Sequence, residues 1–167
     1  MTIKIGDKLP PVVLKQFVDH SLRDQNTGDV FEGKKVILFG VVGAFTPTCS
    51  DDHLPGYLKI LNKFKSLGID VACMSVNDPY VMRAWAWSQP NSAEGITMLA
   101  DGNAAFAKAL GLEMDASKFG MGQRSQRFAL YAEDGVVKVL SVENPGEFDV
   151  SSAEAMLKAI GSLKTAA

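Results

Sequence analysis

Cysteine and histidine are both scarce in this chain: 167 residues contain two of each. Two cysteines are too few for the disulfide framework that small secreted domains use in place of a large core. Cys49 and His53 lie four residues apart, as two metal ligands on one helical face could. No third soft or imidazole ligand is evident, so neither a metal site nor a metal cofactor is expected. An excess of one charge sign is missing as well. Seventeen Lys and Arg stand against nineteen Asp and Glu, a net charge of −2 with the signs interspersed, which gives no basic face for nucleic acid. Long apolar runs are absent too: the longest, Val36 to Phe45, falls well short of the ~20 residues that span a bilayer, so no membrane partner is expected. Met1-Thr-Ile-Lys-Ile-Gly6 has neither the apolar core of a secretory signal nor the Arg/Ser-rich character of a transit peptide, and a cytoplasmic protein is expected. No linker, repeat or low-complexity segment interrupts the sequence. Its length suits one domain over residues 1–167 with an ample core.

What the chain does contain is Gly43-Ala-Phe-Thr-Pro-Thr-Cys49-Ser50, set between an apolar run and an amphipathic one. Val36 to Val42 carries four β-branched residues and no charge, the pattern of a buried parallel strand. From Asp52 onward, Leu54, Leu58, Leu61, Phe64 and Leu67 recur at three- and four-residue steps, which predicts a helix. Cys49 therefore falls at a strand-to-helix junction, beside the positive end of a helix dipole. Such positions favour the thiolate, the nucleophilic form of cysteine. A free cysteine is more often a small buried hydrophobe. Three features argue for reactivity here. Thr46 lies one tight turn before the sulfur, Pro47 stiffens that turn, and the carboxyl end of a central strand is where open α/β sheets place their sites. Asp51 and Asp52 oppose a thiolate by like charge, so the sulfur needs a nearby cation, and it is expected to be held ionised and open to solvent.

The remaining elements follow in order. Val12 to Val18 and Val30-Phe31 suggest an N-terminal hairpin around the Asp24-Gln-Asn-Thr-Gly28 cluster. Ile69 to Val76 reads as a second central strand, and Asn77-Asp78-Pro79 as the cap of a helix through about Ser88, ended by Gln89-Pro90. Ile96 to Ala100 is a short strand, and the helix bearing Phe106 and Leu110 stops at Gly111. Arg127 to Ala132 and Val136 to Val142 are strands joined by Asp134-Gly135, a two-residue hairpin signal. Ser151 and Glu154 form a capping box for a last helix with Ala155, Met156, Ile160 and Leu163 inward. Strand-helix-strand, an inserted strand-helix unit, then strand-strand-helix is an α/β thioredoxin-like fold: a central mixed sheet with flanking helices. Thioredoxins carry Cys-x-x-Cys at this junction, whereas here the four residues are Thr46-Pro-Thr-Cys49. A lone cysteine cannot exchange dithiol for disulfide by itself, which favours chemistry that begins with oxidation of one sulfur.

Gly43-Ala-Phe-Thr-Pro-Thr-Cys49-Ser, His53-Leu-Pro-Gly56, Ser75-Val-Asn-Asp-Pro79, Ala100-Asp-Gly102 and Arg124-Ser-Gln-Arg127-Phe together resemble the type II (peroxiredoxin-5-like) peroxiredoxins, from about Gly6 to the last helix. The resemblance implies a thiol-dependent peroxidase for hydrogen peroxide and organic hydroperoxides. It makes Cys49 the peroxidatic cysteine, Thr46 the hydroxyl that contacts it and Arg127 the guanidinium that completes the site. It also implies an antioxidant role, with glutathione and glutaredoxin, or thioredoxin, as reductant. A homodimer through the Asp78-Pro79-Tyr80 and Gly120-Met-Gly122 loops is implied as well. Val42 departs from the family pattern, which usually has proline there. A redox relay that senses peroxide shares the same sulfenic acid chemistry and is the alternative reading.

Other signals have plainer readings. Cys73, within a central strand, is read as core filling, leaving an external thiol to resolve the sulfenic acid. Arg127 opens an otherwise apolar strand and supplies the cation that Asp51 and Asp52 call for. His53 is read as a capping or supporting group beside the site. Gly120-Met-Gly122 opens no helix and is not a dinucleotide fingerprint; it reads as a flexible loop. Tyr80, Met82, Trp85 and Trp87 read as an aromatic cluster with one face in the core.

Overall fold

A computed structural model describes residues 1–165. Nine strands form a seven-stranded sheet and a separate pair: β1 Val13–Val18, β2 Ser21–Asn26, β3 Lys35–Gly40, β4 Ile69–Ser75, β5 Ile96–Ala100, β6 Glu113–Asp115, β7 Gln123–Ser125, β8 Phe128–Glu133 and β9 Val136–Val142. The main sheet runs β2-β1-β5-β4-β3-β8-β9, and β6 pairs with β7 alone. The β3/β4 and β4/β5 pairs are parallel, whereas β3/β8 and β8/β9 are antiparallel. Six α-helices accompany them among the described residues: α1 Thr27–Phe31, α2 Leu54–Lys59, α3 Leu61–Ser66, α4 Pro79–Trp87, α5 Ala105–Leu110 and α6 Ala153–Thr165. This is the thioredoxin-like mixed sheet that the order of elements predicts. No described helix is long and apolar enough to cross a membrane.

The central strands are apolar on both sides because both faces of the sheet are covered. Side chains alternate along β3: Ile37 and Phe39 join one buried cluster with Tyr57, Cys73, Trp85 and Met156, while Val36 and Leu38 join another with Met74, Phe106 and Leu130. Gly40 pairs with Phe128 across β3/β8, and a Cβ there would lie 2.2 Å from the Phe128 ring. Only glycine lets the strand end that close to β8, which delivers Arg127. Asp134 and Gly135 both have positive φ, 50° and 75°, as the predicted two-residue turn requires.

Three expectations need correction. The first hairpin turns at Asp19-His20, both with positive φ, and pairs Val18 with Ser21. Asp24 to Asn26 is the end of a polar edge strand. The Asn26 side chain caps α1 by accepting from Gly28 N at 2.9 Å, so Val30 and Phe31 are helical rather than extended. The helix after the junction is broken at Ile60 (φ −115°, ψ 19°); before the break Tyr57 is buried, and beyond it Leu67 is exposed. The last helix is not capped by the predicted box: Ser152 Oγ accepts from Ala155 N at 3.2 Å, while the Ser151 hydroxyl is bonded elsewhere. Met156 and Ile160 are buried as expected, but Leu163 is exposed. The Gly120-Met-Gly122 stretch joins β6 to β7 and is closed by Ala116 N to Gly122 O at 2.7 Å and Met121 N to Ala116 O at 3.2 Å. Of the aromatic cluster, Met82 and Trp85 are buried, whereas Tyr80 and Trp87 are more than half exposed.

Candidate active site

The chain leaves β3 through Val41 and Val42, turns over Gly43 to Phe45, and enters a helix at Pro47. Ser50 N to Thr46 O, 3.0 Å, is a first helical bond. Thr46 thus stands at the helix entrance and Pro47 at the first helical position, where its missing N–H leaves no donor unpaired. Phe45 has φ 64°, a left-handed conformation that costs a non-glycine residue about 1–3 kcal/mol and clusters at functional turns. A Cβ on Gly43 would lie 3.0 Å from Arg124 Nη1 and 3.2 Å from Thr46 Cγ2, so glycine lets both side chains pack on the turn. Arg124 holds this region from outside, donating through Nε to Met121 O at 2.9 Å and through Nη1 to Val76 O at 3.1 Å. Asn77 Oδ1 accepts from Ala44 N at 3.0 Å.

Cys49 to His53 form a π-helical turn, with Leu54 N donating to Cys49 O. Such turns recur at functional sites. The Cys49 side chain is buried, not solvent-open as expected. Arg127 reaches it from the residue just before β8, and its Nη2 donates to Cys49 Sγ at 3.0 Å. The other terminal nitrogen, Nη1, lies 2.9 Å from His53 Nδ1. A guanidinium only donates, so Nδ1 is the acceptor and the ring proton sits on Nε2. That proton goes to Ser151 O, 3.0 Å away. The same carbonyl accepts from Tyr57 OH at 2.8 Å. Burial, and then the Arg127 charge, lower the His53 pKa to about 3 against the opposing pull of the Ser151 bond and Glu143. The imidazole is therefore neutral near pH 7. Phe39 and Phe148 flank it, with ring centroids at 4.9 and 5.0 Å.

Ser151 is in turn held by Glu143. One carboxylate oxygen, Oε2, accepts from Asp149 N (2.6 Å), Ser151 N (2.9 Å) and Ser151 Oγ (2.7 Å). Burial pushes the Glu143 pKa up, but the bonds from Asp149, Ser151 and Val150 outweigh it and leave it below the ordinary value. Beneath the π-helical turn, Trp85 Nε1 donates to Ser50 Oγ at 2.9 Å. A cavity of about 350 Å³ opens beside the site, lined by Val42, Thr48, Met114, Gln126, Arg127 and the 143–147 loop.

The structure thus brings two of the three predicted site residues, Cys49 and Arg127, into direct contact. Thr46 sits on the same turn, but its hydroxyl donates to Gly43 O at 2.7 Å; among the described residues no hydrogen bond joins it to the sulfur. Cys73 is a free, buried thiol whose pKa is raised by burial first and then by Cys49. Among the described residues no three His, Cys, Asp or Glu side chains gather as a metal site needs. His53, Ser151 and Glu143 act together in a way that their sequence positions do not announce. The one available signal was an acidic residue directly after the apolar strand β9.

A thioredoxin-like sheet with a cysteine on the helical turn that follows β3, under a guanidinium, is the frame of a thiol protein. Residues 4–157 match the Redoxin family. The chain is 48% identical over 164 residues to peroxiredoxin-2E-2, chloroplastic, of Oryza sativa subsp. japonica, covering 95% of this chain and 73% of that one. It is 45% identical to peroxiredoxin-2B of Arabidopsis thaliana, covering 95% and 98%. Reduced Prx3 of Vibrio vulnificus in complex with H2O2 superposes with a TM-score of 0.90 at 49% identity, covering 95% and 99%. Peroxiredoxin 5 of Alvinella pompejana gives 0.85 at 39%, covering 96% and 99%. The chain belongs to the Redoxin family and, within it, to the type II peroxiredoxins, a family of thiol-dependent peroxidases.

Proposed function

We propose that Cys49 is the nucleophile of a peroxidase that reduces hydrogen peroxide and small organic hydroperoxides, with Arg127 and Thr46 as its partners. The observation that carries this reading is the 3.0 Å contact from Arg127 Nη2 to Cys49 Sγ. The Cys49 thiolate attacks the terminal peroxide oxygen, an S–O bond forms, and the O–O bond breaks. The leaving oxygen departs as alkoxide or hydroxide and takes up a proton, and Cys49 becomes a sulfenic acid. Arg127 keeps its charge throughout and binds the negative charge that builds on the leaving oxygen. The Thr46 proton is engaged by Gly43 O, so the hydroxyl meets a peroxide O–H as an acceptor. The cavity beside Val42 and Arg127 is the approach path.

One external thiol then condenses with the sulfenic acid, releasing water and leaving a mixed disulfide, which a second thiol reduces. Glutathione with glutaredoxin is the first proposed reductant and thioredoxin the second. Cys73, buried in β4, is placed outside this cycle. A homodimer through the Asp78-Pro79-Tyr80 and Gly120-Met-Gly122 loops belongs to the same proposal, supported by exposed Tyr80 and Phe119 beside them. A cytoplasmic location is part of it too; the relatives include chloroplastic and mitochondrial proteins, and fractionation of the source cells decides the point. Steady-state peroxide consumption with the two thiol systems, measured side by side, tests the reading. Cys49→Ser abolishes consumption with both; full activity in that variant sinks the proposal.

A further inference from the structure

Glu143 is a buried carboxylate, 6% exposed, and the described ion pairs, Lys15–Asp24 and Lys65–Asp70, do not include it. Burying a charge without a cation is expensive unless hydrogen bonds replace the lost water. Here the replacements come from one short segment, as Asp149 N, Ser151 N and Ser151 Oγ all converge on Oε2. Simple capping of α6 does not account for this arrangement, because Ser152 Oγ already accepts from Ala155 N. What the carboxylate fixes is the orientation of the Ser151 peptide.

The carbonyl of that peptide points into the site. It accepts from His53 Nε2 and Tyr57 OH, two side chains on the π-helical turn and helix that begin at Cys49. His53, so oriented, accepts from Arg127 Nη1, and Arg127 Nη2 donates to the sulfur. The backbone of Glu143 also holds the other end of this arginine, since Glu143 N donates to Arg127 O at 2.9 Å. One residue therefore references both the main chain and, through Ser151 and His53, the guanidinium of Arg127.

We infer that Glu143 is a positioning residue for peroxide reduction: by fixing the Ser151 carbonyl it orients His53 as an acceptor and so aims Arg127 at the sulfur. This inference rests on the reading of Cys49 as the nucleophile. A peroxide transition state responds to the aim of the guanidinium, because charge develops on a leaving oxygen that must lie within reach of it. Alkylation of the thiolate by iodoacetamide expels iodide, a large and weakly basic anion that needs no such donor, so its rate follows the availability of the thiolate instead.

The test compares wild type, Glu143→Ala, Glu143→Gln and Ser151→Ala in the full-length protein. Two rates are followed, single-turnover oxidation by hydrogen peroxide and alkylation by iodoacetamide across pH. Glu143→Ala is expected to slow oxidation by up to about 10²-fold, the cost of misplacing a reacting group's partner by about 1 Å. Its alkylation profile moves to higher pH, because the guanidinium drifts from the sulfur. Glu143→Gln keeps an acceptor oxygen and restores most of the oxidation rate. Ser151→Ala removes one of the three bonds and slows oxidation about 2- to 10-fold, the size of one hydrogen bond; it carries the test if Glu143→Ala does not fold. Wild-type oxidation rates in Glu143→Ala or, where that variant does not fold, in Ser151→Ala overturn the inference, as does an unshifted alkylation profile. If wild type itself consumes no peroxide, the reading of Cys49 fails, and the shift in alkylation profile still reports on Glu143.

Discussion

His53 Nδ1 accepts a hydrogen bond from Arg127 Nη1 at 2.9 Å, so the imidazole serves the cation as a neutral partner. Burial and that same cation hold its pKa near 3, and the consequence for stability has a definite sign. In the unfolded chain a histidine takes up a proton below about pH 6.5; in the folded protein His53 does so only near pH 3. Between these values the unfolded state holds more protons, so stability falls as pH is lowered through the window, by up to ~1.4 kcal/mol per pH unit from this group. Urea denaturation at pH 7 and pH 5 measures the loss, and His53→Gln flattens it. Equal slopes in the two proteins refute the account of His53.

Arg127→Lys retains the charge and loses the planar fork that spans Cys49 Sγ and His53 Nδ1. Single-turnover oxidation by hydrogen peroxide is expected to fall about 10²- to 10³-fold, the effect of removing one oxyanion-type donor, with thermal unfolding still cooperative. A drop of less than threefold shows that charge alone suffices.

Trp85→Phe deletes the Nε1–H that Ser50 Oγ accepts while keeping most of the buried ring. A loss of about 1 kcal/mol in urea denaturation is expected, the net worth of one hydrogen bond. Oxidation of Cys49, next to Ser50, slows at the same time. Unchanged oxidation shows that the bond steadies the helix without steadying the sulfur.

Cys73→Ser places a hydroxyl inside β4 where the thiol is fully buried. It costs about 1–3 kcal/mol if the hydroxyl finds no partner, and turnover supported by glutathione and glutaredoxin stays near the wild-type value. Abolished turnover with a normal rate of first oxidation makes Cys73 the resolving thiol instead.

The central strands and the Asp134-Gly135 hairpin were legible because their signals are local: apolar runs of strand length, and a dipeptide that tolerates positive φ. The first hairpin was misread because its turn, Asp19-His20, contains no glycine, while the polar edge strand at Asp24 to Asn26 has the composition of a loop. Ser151 and Glu154 imitate a capping box, yet the Ser151 hydroxyl donates to Glu143, a partner that periodicity cannot reveal. Cys49 was legible from its place between strand and helix. His53 was placed beside the site, but its bond to Ser151, 98 positions away, depends on how α6 returns to the sheet. The expectation of an open sulfur failed because Arg127, His53 and the core close over it from separate elements.

A sulfur that is sealed inside the fold poses a problem of access after it has been oxidised. With Cys49 fully buried, a proposed thiol reductant, far larger than hydrogen peroxide, meets a narrower route to the sulfur than the oxidant does. The segment carrying Cys49 is wound with its hydrogen bonds one residue wider than those of an ordinary helix, a form that proteins use only in short stretches. Loosening that single coil, while the sheet behind it stays intact, is the smallest movement that exposes the modified sulfur. In the proposed cycle, recycling by an external thiol then depends on this coil giving way, a demand that the first oxidation by a small peroxide does not make.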